Sequence, residues 1–83
     1  MIVHSPQELA LYVSNQRKKL KLSQATVASL VGLKQKTISS FENKPENTQL
    51  ETVFLILSAV NIDVRVTPKN KSNKNKSDWN QEW

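Results

Sequence analysis

The chain has 83 residues, room for one small domain, and 37% of them are apolar against about 45–50% in an average globular protein. No cysteine, a single histidine (His4) and a single glycine (Gly32) exclude a disulfide framework, a thiol nucleophile, a thiolate metal site and every Gly-rich phosphate loop. Twelve Lys and Arg against seven Asp and Glu leave a net charge of +5, which suits a polyanionic partner; with no catalytic set in view, an enzyme is not expected, nor a cofactor or metal.

The apolar deficit lies at the end of the chain. After Val66 only Trp79 and Trp83 are apolar, apart from the ring of Pro68. Residues 1–68 are therefore expected to fold as the domain and 69–83 to form a flexible basic tail. A core this small is marginal alone, and a second copy of the chain would complete it. No apolar run approaches the roughly 18 residues of a membrane span, and the first residues lack a signal-peptide layout, so a soluble cytoplasmic protein is expected.

Ser5-Pro6-Gln7-Glu8 is a helix start. Ser5 is suited to cap free N–H groups, Glu8 to reach back, and Pro6 stands where a missing N–H costs nothing. Leu9, Val13 and Leu20 recur at helical spacing, and Arg17, Lys18, Lys19 and Lys21 crowd the C-terminal end, where they suit the helix dipole. Helix 1 is expected over about residues 5–20. Ser23 caps the next helix, with Leu22 and Val27 as a hydrophobic staple, and Gly32 ends it in the left-handed conformation that glycine adopts without strain. A third helix is expected over about 35–42, with Ile38 and Phe41 inward. Residues 43–47, containing Pro45, read as a loop. Thr48-Gln49-Leu50-Glu51 reads as a second capping box opening helix 4, about 48–60, with Leu50, Val53, Phe54, Leu57 and Val60 as its apolar stripe.

The period then changes to two. Ile62, Val64 and Val66 alternate with Asp63, Arg65 and Thr67 until Pro68, the pattern of one short β-strand. It has no partner strand in the chain, so pairing with its copy in a second subunit is the leading expectation. The alternative is an extended segment lying on the helices.

Residues 23–43 carry a helix-turn-helix pattern. Ala28 is small where two helices cross, Gly32 makes the turn, and Val27, Ile38 and Phe41 pin helix 3. The remaining face of helix 3 is polar, and Glu42 is its one acid. Lys34, Gln35, Lys36 and Ser39 are side chains that read base edges, glutamine pairing bidentately with adenine and lysine with guanine. Ser23, Gln24, Thr37, Ser40, Asn43 and Arg17 are candidates for phosphate contacts, the first two because helix N-termini attract anions. Lys18 and Lys44 suit either a phosphate or plain solvent. Glu42 and Glu46 are four apart with Pro45 between them, so Glu42 is expected to be a structural acid and not half of a catalytic pair. His4 reads as a surface residue.

The stretch S-Q-A-x-V-A-x-x-V-G-L-x-Q-x-T-I-S-x-F-E-N resembles the Cro/C1-type (XRE) family of helix-turn-helix repressors over about residues 5–60. Within that family the chain is similar to the HipB-type antitoxins through Lys34 to Ser39, Phe41-Glu42-Asn43, Pro45, Asn47-Thr48, Leu50, the strand after helix 4 and the closing Glu82-Trp83. The resemblance implies a mainly α fold of four to five helices, with one C-terminal β-strand pairing across a homodimer. It also implies binding to palindromic double-stranded operators, autorepression, and a complex with a HipA-like serine/threonine kinase toxin. Lys36 stands where such relatives often carry a small residue, so their operator sequence is not carried over. Trp79 and Trp83, at the end of a polar arm, read as partner-binding anchors, the alternative being that they fold back on the domain. A plain repressor without a toxin, or a protein-interaction scaffold built on the same helices, are the competing functions.

Overall fold

A computed structural model describes residues 2–69, which form four helices: α1 (Pro6–Lys19), α2 (Gln24–Leu30), α3 (Gln35–Asn43) and α4 (Leu50–Ala59), with a 3₁₀ turn at Pro45–Asn47. Among the described residues no helix is long and apolar enough to cross a membrane. Trp79 and Trp83, and with them all of the expected tail after Lys69, lie outside the described residues.

The caps follow from side-chain chemistry. Ser5 accepts from the Glu8 N–H at 3.1 Å, and Glu8 reaches back to the N–H of His4 at 2.6 Å, one residue ahead of the cap. Ser23 accepts from the Thr26 N–H at 3.0 Å and donates to the Thr26 hydroxyl at 2.9 Å. The second expected capping box does not form. The Thr48 N–H bonds the Pro45 carbonyl at 3.1 Å and closes the 3₁₀ turn, so α4 starts two residues later, with Gln49 as an N-cap that makes no side-chain bond.

Three helices leave by the same left-handed turn. Gly32 has φ +72°, and the Leu33 N–H reaches back over it to the Ala28 carbonyl at 2.8 Å. Lys21 and Asn61 take φ 60° after α1 and α4, with Leu22 to Arg17 at 3.0 Å and Ile62 to Leu57 at 2.9 Å as the spanning bonds. Each turn satisfies carbonyls that the helix end would leave orphaned and delivers an apolar residue back to the core. Asparagine tolerates this conformation; for Lys21 it costs roughly 1 kcal/mol.

The core is Ala10 and Val13 from α1, Val27 and Ala28 from α2, Ile38 and Phe41 from α3, and Val53, Ile56, Leu57 and Val60 from the α4 region. Leu9, Leu22, Leu33, Ala59 and Ile62 pack against it in part. Two expectations are corrected. Leu20 is on the surface, because the chain turns left-handed at Lys21 and Leu22 takes the inward place. The stripe of α4 is rotated: Val53, Ile56, Leu57 and Val60 face in, while Leu50 and Phe54 are 69% and 50% exposed. Residues 53–57 are apolar on every side, so periodicity alone does not choose the buried face there.

Among the described residues there is no strand. Residues 62–68 form no ladder within the single chain; Ile62 touches the core, and Val64 and Val66 are exposed.

Candidate nucleic-acid interface

The helix-turn-helix is held from inside. Val27 and Ile38 are fully buried and Phe41 nearly so, which fixes α3 against α2 and α1. Ala28, also buried, leaves room for the close approach of α2 and α3. With Ile38 and Phe41 inward, helical geometry puts Lys36, Ser39, Ser40 and Asn43 on the opposite side, at spacings of three and four. Lys36, Ser40 and Asn43 are exposed. Ser39 is half-buried and accepts a long bond from the Asn43 amide at 3.4 Å. Lys34 and Gln35 are exposed at the N-terminal end of α3, and Lys34 is its backbone N-cap without a side-chain cap bond. Thr37 is half-buried at the flank.

A polar network lies behind this face. The Arg17 guanidinium grips Glu42 with two bonds, Nε to Oε2 at 2.8 Å and Nη2 to Oε1 at 3.1 Å, while Nη1 donates to the Leu22 carbonyl at 2.9 Å. The two side chains are only 11% and 10% exposed. The Gln24 amide donates to Glu42 Oε1 at 3.0 Å, and Gln35 donates to the Gln24 oxygen at 3.2 Å. Burial opposes the Glu42 charge and is the largest single influence on it. The hydrogen bonds from Arg17 and Gln24, with the positive charges of Arg17 and Lys18, together outweigh burial and hold the carboxyl below its usual pKa.

This geometry corrects one expectation and supports another. Arg17 is turned inward, with three of its five N–H donors held by Glu42 and the Leu22 carbonyl and only 11% of its side chain exposed, and is not a free phosphate hand. Glu42 is a structural acid, as its position before Pro45 suggested. Glu46 lies apart from it and accepts from Gln7 at 3.1 Å, tying α1 to the 3₁₀ turn. Sequence reasoning missed the Arg17–Glu42 pair because the two residues lie 25 apart. It also missed Gln16, whose amide donates to the Val60 carbonyl at 3.2 Å and joins α1 to the end of α4. Among the described residues no three His, Cys, Asp or Glu side chains come together as a metal site.

With Glu42 neutralised by Arg17, the outer face of α3 offers amides, hydroxyls and two lysines without an unpaired acid. Comparisons with known proteins agree with that chemistry. Residues 13–66 match the helix-turn-helix family HTH_3. The chain is 37% identical over 82 residues to Antitoxin HipB of Escherichia coli strain K12, spanning 98% of this chain and 93% of that protein. It is 35% identical to Antitoxin HipB of Escherichia coli O6:H1, over 98% and 87%. Among solved structures, the HipA-HipB-O2-O3 complex contains a chain matching 84% of this one and 99% of its own length, with a TM-score of 0.81 and 34% identity. The HipB-O4 20mer complex gives a TM-score of 0.80 at 34% identity, over 84% and 99%. The protein belongs to the Cro/C1-type helix-turn-helix family, in the group of the HipB antitoxins.

Proposed function

We propose that the protein is a sequence-specific DNA-binding repressor of its own operon and the antitoxin of a HipA-like serine/threonine kinase toxin. It is a binding protein and not an enzyme, and it acts in the cytoplasm. The carrying observation is the outer face of α3, basic and amide-rich, on a scaffold with a TM-score of 0.81 to HipB in the HipA-HipB-O2-O3 complex. In this reading α3 enters the major groove, with Lys34, Gln35, Lys36 and Ser39 facing base edges. Ser23, Gln24, Thr37, Ser40 and Asn43 face phosphates and set the register.

The working form is a two-fold homodimer. Leu50 and Phe54 leave an apolar stripe on α4, and Phe54, Ile62 and Val64 line a groove beside it. A second copy would remove this surface from water and give Ile62, Val64 and Val66 the ladder partner that a single chain lacks. The operator is then palindromic, with half-sites about 10–10.5 bp apart or a multiple of that. Trp79 and Trp83 serve as anchors for the toxin.

Binding of the full-length protein to the DNA upstream of its own reading frame tests the proposal. Wild type should bind in a salt-dependent way, and Gln35→Ala should relax base preference, each good contact supplying about 1–3 kcal/mol of discrimination. If Gln35→Ala leaves affinity and base preference unchanged, α3 is not the reading element. If wild type shows no salt-dependent binding at all, the scaffold reading replaces the repressor.

A further inference from the structure

A second groove shares Ser58 and Asn61 with the one beside Phe54. Leu20, Leu22, Leu30, Val31 and Ala59 complete its wall, around a volume of about 500 Å³. Leu30 is 60% exposed and Leu20 37%, so this apolar surface stands open to water. Three helix C-termini build it: Leu20 is the C-cap of α1, Val31 that of α2, and Ala59 the last residue of α4. Helix ends leave carbonyls without partners, and none of the described N–H groups bonds those of Leu30, Val31 or Ala59. Neither α2 nor α4 has a basic residue in its last turn to offset the negative end of its dipole. The groove therefore suits an apolar body that carries a donor and no acceptor, accompanied by positive charge. Tryptophan is such a body, since its indole N–H only donates. Both tryptophans of the chain, Trp79 and Trp83, come after the domain, and Lys69, Lys71, Lys74 and Lys76 precede them.

We propose that the groove at the ends of α1, α2 and α4 is the resting site of this chain's own Trp79, with the lysines ahead of it set against the negative ends of α2 and α4. Eighteen residues separate Asn61, in the groove wall, from Trp79. A stretch of that length spans up to about 60 Å, enough to leave the domain and return. Tethering also makes a weak site sufficient. At an effective concentration in the millimolar range, a groove that would hold the same end at only about 0.1 mM in solution is filled about ten to one. Docking keeps an indole out of water while the arm has no other partner. A partner that takes the arm must first displace Trp79, which weakens its apparent affinity by the same factor of about ten. The proposal goes beyond the reading of the two tryptophans as toxin anchors and does not depend on it, and its test uses no toxin.

Residues 1–68 contain no tryptophan, so indole fluorescence of the full-length protein reports on the tail alone. Trp83→Phe leaves Trp79 as the single indole. Its emission should be blue-shifted, and acrylamide should quench it up to about tenfold less than in the same protein unfolded in urea. Leu30→Ser and, separately, Leu20→Ser remove apolar wall at exposed positions. In that background each should return emission and quenching toward those of the unfolded chain, with the helical circular dichroism retained; either variant decides the matter should the other fail to fold. Dilution across the dissociation of the dimer should leave the wild-type signal unchanged, because the tether and not a second chain delivers Trp79. Quenching of Trp79 as strong as in urea would overturn the proposal. Protection that survives both groove substitutions would overturn it too, by placing the indole elsewhere. So would protection that is lost on dilution, which would put the indole on another chain.

Discussion

Replacing Glu42 by alanine should bring the domain close to unfolding. The carboxylate accepts three hydrogen bonds, two from Arg17 at 2.8 and 3.1 Å and one from Gln24 at 3.0 Å. Its removal strands a guanidinium that is 11% exposed and has one remaining protein acceptor, the Leu22 carbonyl. Breaking a buried pair from one side typically costs about 3–5 kcal/mol, because the surviving charge is left uncompensated. At about 0.05–0.15 kcal/mol per residue, a domain of this size is stable by only about 3–10 kcal/mol. A loss of 3 kcal/mol corresponds to a fall in Tm of roughly 12–24 °C for a domain of 60–100 residues. Thermal and urea melts at pH 7 measure it, with Arg17→Met and the double variant completing a cycle. The double variant should be far less damaged than the sum of the singles, since it leaves no buried charge without its partner. The pH dependence has a defined sign. The Glu42 pKa is lowered in the folded state, so its contribution is present above the unfolded carboxyl value, near 4.3, and disappears as pH falls through the folded value. Glu42→Gln should lack that portion of the acid transition. Arg17→Met should also leave the salt dependence of DNA binding unchanged, whereas loss of a phosphate contact would lower the slope by about one. A Tm loss under about 4 °C for Glu42→Ala, or additive singles, would refute this account of the pair.

Gly32→Ala should cost about 1 kcal/mol and no more, because nothing lies within 4 Å of the added methyl group and only the φ of +72° is strained. Lys21→Gly should gain up to about 1 kcal/mol by relieving the same strain after α1; melts showing the opposite signs would contradict the turn geometry. Phe54→Ser and Val64→Pro should weaken the dimer in sedimentation, the first by removing exposed apolar surface and the second by removing a ladder donor, and a wild-type monomer at micromolar concentration would sink the dimer proposal. Deleting residues 79–83 should reduce toxin binding and spare binding to DNA; equal toxin affinity with and without the tail would show that Trp79 and Trp83 are not the anchors.

Local chemistry made much of this protein legible before its fold. Ser5-Pro6 and Ser23 mark helix starts because their side chains act within one turn, and Gly32 marks a stop because its backbone freedom is its own property. The inward positions of Val27, Ala28, Ile38 and Phe41 could be read from helical spacing, since polar neighbours leave one face for the core. By subtraction, so could the polar outer face of α3. Tertiary structure alone decided the rest. The all-round apolar run at 53–57 carries no periodic signal, so only the packing partners of α4 choose Ile56 for the core and leave Phe54 outside. Thr48 has the makings of a cap, but α4 begins at Leu50 with Gln49 in the N-cap place, which leaves Thr48 one residue outside the helix. Arg17 has the composition of a phosphate hand, yet 25 residues further on Glu42 folds beside it and turns its charge inward. Such pairings depend on where two distant helices meet. No spacing along the chain encodes that, because the energy that selects it is the burial of the whole core at once.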